Sequence, residues 1–409
     1  MDVVVIGAGL AGLSLAHGFQ QSGARTMVVE QAPADRPQGS GLSLMPNGLT
    51  ALHALGLGPQ LEQLTRGHSP AGGGQRTPDG RWLYRLPARA VGSVRVVHRA
   101  ELHAVLVQAL VPGTVRFGVR ATLVDPLTGQ VQLQGPGIDD DPSGGGDEDP
   151  MVRADLVVCA DGLRSRARAA IGSDPGIRYA GYGAWRGVTP AAVPGVEPSE
   201  TWGRGLRFGL VPLPDNRVYW FAVRNGPPTA TAQDAHREVL DLFGTWHDPI
   251  RRVVESTDAA TITWSPIEEL ARPLTTLFRG VSVLVGDAAH AMTPNLGQGG
   301  NQGLEDAATL VRLLTRSAAG APDRQVLAQL LARYDELRRP RTQRIARLSR
   351  QLGRIASTDQ ALLAIGRDAL LRLTPTRAAA ASIDALADWR PPEVGDGVVP
   401  PATRPTLSA

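Results

Sequence analysis

The chain has 409 residues, of which 42% are hydrophobic and 20% charged, so it can bury a large core and two domains are expected. Its 42 basic and 39 acidic residues nearly balance, which gives no reason to expect nucleic-acid binding. The sequence contains no lysine, which excludes Schiff-base and P-loop chemistry, and its one cysteine, Cys159, can form neither an internal disulfide nor a multi-thiolate metal site.

The N-terminus bears on where the protein works. Its apolar stretch "MDVVVIGAGLAGLSLAHGF" has Asp2 where a signal peptide has a basic region, and glycines interrupt the apolar run. This pattern is not typical of a signal peptide. No stretch reaches the ~18 consecutive apolar residues of a membrane span. His98 and His103 have no third ligand at metal spacing. We therefore expect a cytoplasmic monomer or homodimer with no metal and no membrane or nucleic-acid partner.

The first thirty residues predict a β-α-β unit that opens a parallel sheet. "DVVVI" is a β-branched run, "LAGLSLAHGFQQSG" has helical spacing that ends at Gly23, and "RTMVVE" returns to a strand. The turn between strand and helix holds Gly7, Gly9 and Gly12 in G-x-G-x-x-G spacing. The first glycine permits a tight turn, the second lets a pyrophosphate approach the backbone, and the third allows close helix packing.

Glu30 ends the second strand of this unit. A carboxylate at this place can accept hydrogen bonds from both hydroxyls of a ribose, and it would repel a 2′-phosphate. The glycine fingerprint and this carboxylate predict a dinucleotide site, but they do not separate FAD from NAD.

The middle of the chain alternates helices and strands. "PNGLTALHALGLGPQLEQL" predicts a helix and a turn, "RAELHAVLVQAL" predicts a helix whose first residue is Arg99, and strands are predicted at 114–124 and 130–134. Residues 135–150 are acidic and glycine-rich with nothing apolar to bury, which predicts a disordered hairpin tip. A buried strand follows in "RADLVVCADG".

The second half predicts an inserted sheet followed by helices. Alternating strands from 176 to 272 indicate a largely antiparallel sheet. "GVSVLVGDAAH" resumes the buried-strand pattern, residues 299–373 are mainly helical, and the proline-rich end predicts a loosely docked tail.

Three motifs stand in a fixed order along the chain. They are "GAGLAG" with Glu30, "DLVVCADGLRSRAR" with Asp161 and Gly162, and "GDAAHAMTPNLGQGGNQG" with Asp287. Together they resemble the class A flavoprotein aromatic hydroxylases, single-component FAD-dependent monooxygenases such as p-hydroxybenzoate hydroxylase, salicylate hydroxylase and FAD-dependent urate hydroxylase. The resemblance covers most of the chain.

The resemblance and the element pattern together imply an α/β fold. We expect a Rossmann-like FAD-binding domain with a parallel sheet, an inserted and mostly antiparallel substrate domain, and C-terminal helices. The expected boundaries are 1–75, 95–175 and 273–325 for the FAD-binding domain, 76–94 and 176–272 for the substrate domain, 326–388 for the C-terminal helices and 389–409 for the tail.

The resemblance also implies roles for single residues. Asp287 would hydrogen-bond the ribityl chain of FAD, Arg99 would contact its phosphate or ribityl region, and Asp161 with Gly162 would support flavin and nicotinamide binding. Ala11 stands where the family often has glycine. The expected cofactor-binding residues are Gly7, Gly9, Ala11, Gly12, Glu30, Ser43, Arg99, Asp161, Gly162, Asp287, Gly297, Gly299, Gly300 and Asn301.

The late glycine-rich turn has a physical interpretation. Gly297, Gly299 and Gly300 lead into a helix that begins near Asn301, and free N–H groups at such a helix start point at whatever lies against the turn. Reduced flavin carries negative charge at its N1–C2=O edge, which backbone donors and a helix dipole stabilise without a lysine.

The implied reaction is hydroxylation of a small aromatic or heteroaromatic substrate. NAD(P)H would reduce FAD, O2 would add to give a flavin C4a-hydroperoxide, and one oxygen would pass to the ring. Arg207 and Tyr219 are similar to an arginine and a tyrosine that contact substrate in urate hydroxylase. An equally good interpretation of the two residues is a surface arginine and a tyrosine that packs within the sheet. His290 could move a proton or simply pack, and Pro294 is expected to shape the turn beside the flavin.

Other functions compete with this one. A flavin-dependent halogenase would need a lysine and a W-x-W-x-I-P segment, and the sequence has neither. A flavin dehydrogenase or reductase without oxygen insertion stays open, as does a non-catalytic FAD-fold binding protein.

Overall fold

The computed structural model describes residues 1–34, 40–66, 72–88, 94–136, 151–172, 174–228, 234–315 and 322–393. Within these ranges the strands are β1 (Asp2–Ile6), β2 (Arg25–Glu30), β3 (Gly41–Leu44), β4 (Gly73–Arg76), β5 (Trp82–Leu86), β6 (Arg95–His98), β7 (Val115–Phe117), β8 (Arg120–Asp125), β9 (Gln130–Gln134), β10 (Met151–Arg153), β11 (Leu156–Cys159), β12 (Ile177–Val188), β13 (Ser199–Trp202), β14 (Leu206–Pro212), β15 (Val218–Asn225), β16 (Thr263–Leu270), β17 (Phe278–Arg279) and β18 (Ser282–Leu284).

The α-helices in the same ranges are α1 (Leu10–Gln21), α2 (Pro46–Ala54), α3 (Gly58–Leu64), α4 (Arg99–Gln108), α5 (Ala167–Ile171), α6 (Ala235–Phe243), α7 (Ile250–Glu255), α8 (Asp287–His290), α9 (Gly299–Thr315), α10 (Arg324–Ala356), α11 (Ala361–Leu373) and α12 (Thr376–Ala387). Two short 3₁₀ turns, Ala259–Thr261 and Pro294–Leu296, complete the regular structure.

A six-stranded sheet with the order β17-β18-β11-β1-β2-β7 combines strands from the first half of the chain with β17 and β18 from its second half. Five of its strands, β18, β11, β1, β2 and β7, run parallel to one another, and only β17 is antiparallel to its neighbour β18. The central strands β1, β11 and β18 are buried on both faces, as the continuous apolar runs "VVV" in β1 and "LVVC" in β11 require. The predicted β-α-β opening and the α/β class are therefore confirmed.

One predicted strand was wrong in its extent. Residues 114–124 form two strands in different sheets, because Gly118 with a φ of +77° ends β7 and redirects the chain into β8. β8 pairs with β9, and β9 pairs with β10, in a separate three-stranded antiparallel sheet. Most of the predicted hairpin tip, residues 137–150, lies outside the described residues, as do residues 394–409 of the predicted tail.

A seven-stranded sheet with the order β16-β12-β15-β14-β13-β4-β5 forms the second layer. It is antiparallel except where β13 meets β4, so the prediction of an antiparallel sheet is confirmed. One face packs on α6 and α7 around Trp185, Phe208 and Trp220, which are fully buried. The opposite face carries Arg207 on β14 and Tyr219 on β15.

The predicted helical region is confirmed from Gly299 to Leu373 for the residues that the structure describes, and α12 extends it. α9 packs against α1, so the late helix lies beside the first helix of the chain. α10 is 33 residues long and packs against α9, with Leu330, Leu331 and Tyr334 buried in the core. This arrangement brings the third sequence motif to the first.

Candidate active site

The glycines of the first motif have distinct physical tasks. Gly7 has a φ of +103°, and a Cβ there would lie 2.4 Å from the Ala160 carbonyl oxygen, so the turn closes directly on the end of β11. A Cβ on Gly12 would lie 2.2 Å from the Gly7 carbonyl oxygen. A Cβ on Gly9 would meet no atom within 4 Å. The backbone at Gly9 therefore faces open space, where a ligand can approach it.

The N-terminus of α1 offers free donors beside this turn. The first helical hydrogen bond runs from the Leu13 amide to the Gly9 carbonyl, and the amides of residues 10–12 have no acceptor in the described part of the chain. Unpaired amides at a helix start attract phosphate oxygens. Ala11 takes a different role, because its Cβ packs against Gly286 and Gly303 where α9 crosses α1.

The Glu30 carboxylate is fixed at the end of β2. Its Oε2 accepts from the Ala8 amide at 2.9 Å and its Oε1 accepts from the Ala32 amide at 2.8 Å. Each oxygen keeps a further lone pair, so the carboxylate can accept from two ribose hydroxyls while its position is held.

The second motif turns at the end of β11, next to β1. The Asp161 Oδ2 accepts from the amides of Arg166 at 2.9 Å and Ala167 at 3.3 Å, which orients the carboxylate. Its Oδ1 is buried and has no partner among the described residues. A Cβ on Gly162 would again meet no atom within 4 Å. The segment thus presents one unsatisfied acceptor beside bare backbone.

The third motif begins where β18 ends. Gly286 has a φ of +60° and a ψ of −141°, a backbone conformation that side-chain-bearing residues rarely adopt. It ends the buried strand and exposes Asp287, whose neighbours Gly286 and Ala288 are both buried. The Asp287 carboxylate is therefore directed out of the protein core.

Because β18, β11 and β1 are adjacent parallel strands, their three motif turns meet at one edge of the sheet. The glycine-rich turn at residues 297–301 adds a fourth segment. The first backbone bond of α9 runs from Gln302 to Gln298 at 2.8 Å, and the amides of residues 299–301 have no acceptor within the described ranges. A Cβ on Gly299 would meet nothing within 4 Å. Free donors of a 17-residue helix thus border open space.

Asn301 ties this turn to β3. Its Oδ1 accepts from the Met45 amide at 2.9 Å, and its Nδ2 donates to the carbonyls of Ser43 at 3.0 Å and Gly297 at 2.8 Å. The side chain is fully used in these bonds, so only its backbone amide is available to a cofactor. The bonds place Ser43 beside the glycine-rich turn.

A buried cluster of charged side chains lies beneath these segments. Asp306 and Glu305 are 0% exposed and Arg338 is 1% exposed. Asp306 Oδ1 accepts from Arg338 Nε at 2.7 Å, Arg338 also bonds Glu305, and Arg341 Nε donates to Glu305 at 2.8 Å. Asn47 Nδ2 donates to Glu305 at 2.6 Å, which connects α2 to the cluster.

The charges of the cluster compensate one another. Burial by itself raises the pKa of the Asp306 carboxyl, but His290 and Arg338 outweigh burial and lower that pKa to about 2. Burial likewise opposes ionisation of Glu305, and Arg338 with Arg341 lowers its pKa. The two acids raise the pKa of the Arg338 guanidinium. Both carboxylates and the Arg338 guanidinium are thus charged at neutral pH.

Two residues with expected chemical roles sit apart from one another. His290 is buried in the cluster, where its Nε2 lies 2.6 Å from Asp306 Oδ2. Arg99 is exposed at the start of α4, and its amide donates to the Ser40 carbonyl. Arg99 is close enough to Tyr219 for its charge to lower the pKa of the Tyr219 phenol, against the larger raising effect of burial.

Arg207 and Tyr219 both touch segments that flank the glycine-rich turn. Arg207 is 3% exposed, and its Nη1 donates to Asn295 Oδ1 at 3.0 Å, next to the exposed Pro294. The Tyr219 ring lies against Gly41, where a Cβ would be 2.5 Å from the ring. Burial raises the pKa of the Tyr219 phenol against the opposing charges of Arg186 and Arg99. The hydroxyl is therefore protonated and can donate.

Several residues of the site were not predicted. Asn295 lies within the third motif but was given no role, and Asp306 and Arg338 lie outside all three motifs. Polar residues at 302, 305, 306 and 309 of the otherwise buried α9 were nevertheless a signal of buried polar pairing. The arginine that pairs with them lies 32 residues further along, and no local pattern specifies that contact.

The residues present fit FAD. Bare backbone at Gly9, Gly162 and Gly299 borders open space, and the amides at the starts of α1 and α9 have no acceptor among the described residues. The Asp161 Oδ1 atom and the Asp287 carboxylate have no hydrogen-bond donor there either. Such a set suits a pyrophosphate, a ribose and a polar ring edge. Among the described residues no group of three metal-binding side chains occurs. Within the same residues, each helix is too short or too polar to cross a membrane.

Comparison with known proteins agrees with this fit. Residues 1–349 match the family described as FAD binding domain. The chain is 33% identical to aurachin C monooxygenase/isomerase of Stigmatella aurantiaca over 91% of this chain and 94% of that protein. It is 34% identical to salicylate hydroxylase of Pseudomonas putida over 87% and 86% of the two chains. The structure of Klebsiella pneumoniae HpxO with FAD and uric acid superposes with a TM-score of 0.81 at 26% identity, covering 95% of this chain and 96% of that chain.

Proposed function

Because the chain belongs to the FAD binding domain family, among its FAD-dependent aromatic monooxygenases, we propose that it hydroxylates a small aromatic or heteroaromatic ring that carries an anionic or carbonyl group. The resemblance drawn from the three motifs is confirmed, since salicylate and urate hydroxylases are among the relatives. The names of these relatives are those of hydroxylases. This favours hydroxylation over a dehydrogenase reaction or a non-catalytic binding function.

FAD, when bound, supplies the redox chemistry: it takes a hydride from NAD(P)H and activates O2 for transfer of one oxygen atom to the substrate. We propose that the backbone turn at Gly7, Gly9 and Gly12 with the start of α1 holds the pyrophosphate, and that Glu30 accepts from the ribose. The Asp287 carboxylate would accept from the ribityl hydroxyls. The amides of residues 299–301 would stabilise negative charge at the ring edge.

The substrate would lie between the seven-stranded sheet and these amides. One observation carries this proposal: Arg207 bonds Asn295 beside Pro294, and Tyr219 packs on Gly41 two residues before Ser43. The two side chains therefore touch the two segments that border the proposed cofactor site, Arg207 at Asn295 and Tyr219 at Gly41. A buried guanidinium binds a carboxylate or a carbonyl-rich ring edge strongly, because little water competes.

Tyr219 orients the substrate in this proposal and does not act as a base. Its raised pKa keeps the phenol protonated at neutral pH, so the hydroxyl donates a hydrogen bond to a ring oxygen. Its ring packing on Gly41 also narrows the opening between the sheet and β3, which limits water beside the reacting atoms. His290 would act through Asp306, since both of them are buried in the charged cluster.

The test begins with the purified holoenzyme and a panel of salicylate, 4-hydroxybenzoate, urate and 4-hydroxyquinoline. We expect at least one compound to accelerate NAD(P)H oxidation and to yield a product that contains one atom from ¹⁸O2 by mass spectrometry. Consumption of NAD(P)H with peroxide alone for every ring compound tried would contradict hydroxylation.

Variants separate the substrate contacts from the fold. Arg207→Met and Tyr219→Phe should raise KM for the accepted substrate while the flavin content stays that of the parent. Arg224→Met is a matched control on β15, because Arg224 bonds Glu238 of α6 on the opposite face of the same sheet. A KM that is equal in all three variants and the parent would place the substrate elsewhere.

We also propose a cytoplasmic location, which the lone buried Cys159 supports, and a monomeric or homodimeric state. Light scattering on the holoenzyme would give the number of chains in the assembly.

A further inference from the structure

A cavity of about 430 Å³ lies between the first half of β12 and the last turns of α10, and Thr293 of the third sequence motif also lines it. Side chains with charge or aromatic character dominate its wall: Arg178, Tyr179, Tyr182, Glu269, Arg350 and Arg354. Small-molecule sites have volumes of roughly 300–1,000 Å³, so the space suits a ligand of one or two rings.

Glu269 supplies an unsatisfied acceptor at this wall. The residue is 1% exposed, and its Oε1 accepts from Arg178 and, at 2.8 Å, from Arg350 Nε. Its Oε2 has no hydrogen-bond partner in the part of the chain that the structure describes. A buried carboxylate oxygen without a donor is costly, and a ligand hydroxyl or amino group would satisfy it.

Two further buried atoms at the same wall lack partners. Asn225 donates its Nδ2 to the Ser357 carbonyl at 2.7 Å, which leaves Asn225 Oδ1 without a donor within the described ranges. The hydroxyl oxygen of Ser357 is likewise unpaired there. Three unpartnered polar atoms, one on β15, one on β16 and one directly after α10, thus lie at the wall of one cavity.

The charge at the wall favours an anion. Glu269 is compensated by two arginines, and the exposed Asp359 and Arg354 also line the cavity. Arg354 is exposed and forms no ion pair among the described residues. The five charged side chains leave one positive charge in excess, and guanidinium groups bind carboxylates in a two-pronged geometry.

The aromatic wall favours a ring. The Tyr179 hydroxyl donates to the Gly226 carbonyl at 2.6 Å, which fixes its ring, and the Tyr182 hydroxyl accepts from Asn295 Nδ2 at 2.8 Å. Asn295 in turn accepts from Arg207. Tyr182 therefore faces the cavity and is one hydrogen bond away from the residue that holds Arg207.

We propose that this cavity is a second binding site, for a small ring-bearing carboxylate that also carries a hydroxyl or amino donor. The carboxylate meets Arg354, the donor meets Glu269 Oε2, and the ring packs between Tyr179 and Tyr182. Occupancy is coupled to the substrate place through Tyr182 and Asn295. The site does not depend on Arg207 contacting substrate, so it can stand or fall apart from the proposed function.

The experiment uses FAD-loaded enzyme and 5-fluorosalicylate followed by ¹⁹F NMR. We expect a bound resonance that persists in Arg207→Met and whose dissociation constant rises at least about tenfold in Arg354→Glu. Arg372→Glu is the matched control, because Arg372 is an exposed arginine of α11 that does not line the cavity. Flavin content and far-UV circular dichroism report whether each variant is folded.

Each outcome decides the matter. A resonance lost in Arg354→Glu but kept in Arg207→Met and Arg372→Glu supports the cavity. A resonance unaffected by Arg354→Glu, or no binding at all, overturns it. Displacement by millimolar inorganic phosphate would show a site for any anion and would overturn the ring-bearing class. Loss of the resonance in Arg207→Met alone, with loss of oxygen incorporation, would report on the proposed function and place the probe there.

Discussion

The carboxylate of Asp306 accepts the amide proton of Gly286 at 2.8 Å and so fixes the residue directly before Asp287. The same oxygen lies 2.6 Å from His290 Nε2, and the other oxygen accepts from Arg338. A buried ion pair on α9 and α10 therefore determines where the exposed carboxylate at the start of α8 stands. The position of a predicted cofactor contact depends on residues that do not touch the cofactor.

Replacing Asp306 by asparagine should weaken both the fold and flavin binding. Arg338 would lose one of its two buried counter-charges, and breaking such a pair costs about 3 kcal/mol. The Gly286 amide would be held less firmly, and we expect FAD affinity to fall about tenfold, which corresponds to about 1.4 kcal/mol. Chemical denaturation of the apoprotein and fluorescence titration with FAD measure the two effects separately.

Asp306→Glu is the conservative counterpart of Asp306→Asn, because it keeps the negative charge but shifts the carboxylate oxygens. If Asp306→Asn loses stability and yet binds FAD as the parent does, the cluster supports only the fold and Asp287 is placed by other contacts.

The Asp306 carboxylate should also make the free energy of unfolding depend on pH in the acid range. Its pKa is about 2 in the folded protein, against roughly 3.9 in an unfolded chain. A lowered pKa contributes stability that is fully present above pH 4 and is lost as the pH falls toward 2, by about 2 kcal/mol. Glu305 adds in the same direction, because its pKa is also lowered.

The measurement is the free energy of unfolding by urea between pH 2 and 6, in the parent and in Asp306→Asn. The parent should lose stability more steeply below pH 4 than the variant. Parallel curves would mean that other carboxylates dominate the acid limb.

The motifs of the site could be predicted from the sequence because each is local. A glycine with a required turn, such as Gly7, or a strand that ends in Glu30 leaves its trace within a few neighbouring residues. The pairing of Asp306 with Arg338 and the bond between Arg207 and Asn295 leave no such trace, since they depend on how α10 and the seven-stranded sheet dock. The split of residues 114–124 was missed for a related reason: a β-rich pattern does not specify which sheet each half joins.

Gly299→Ala tests the open backbone of the glycine-rich turn. A Cβ at this position would meet no protein atom within 4 Å, so the variant should fold as the parent does. It would meet a ligand that approaches the bare amide, and we expect FAD to bind about tenfold more weakly. Gly366→Ala is the matched control, because that glycine also has no atom within 4 Å but lies on the exposed α11. Equal FAD affinities in the two variants would contradict a close approach of the cofactor at Gly299.

Asp287→Ala should lose flavin without losing stability. The residue is exposed, and substitutions at such positions usually change the free energy of unfolding by less than about 0.5 kcal/mol. If the carboxylate holds the ribityl chain, the purified variant should be colourless or weakly yellow and should need excess FAD for activity. Asp241→Ala on α6 serves as the control for removal of an exposed carboxylate. Full flavin occupancy in Asp287→Ala would remove the assigned role.

Gly353→Ala tests the link between α10 and the proposed substrate contact. A Cβ on Gly353 would lie 2.3 Å from Asn295 Nδ2 and 3.1 Å from the Tyr182 hydroxyl, so Asn295 must move. Overpacking of this kind costs about 1–3 kcal/mol. Displaced Asn295 no longer accepts from Arg207, and we expect the KM of the accepted substrate to rise several-fold while FAD affinity is unchanged.

Asn295→Ala provides the comparison, because it removes the same acceptor without inserting an atom. The two variants should share the rise in KM, and only Gly353→Ala should lose stability in denaturation. A rise in KM confined to Gly353→Ala would trace the effect to the shifted helix, and the bond between Arg207 and Asn295 would then have no part in substrate binding.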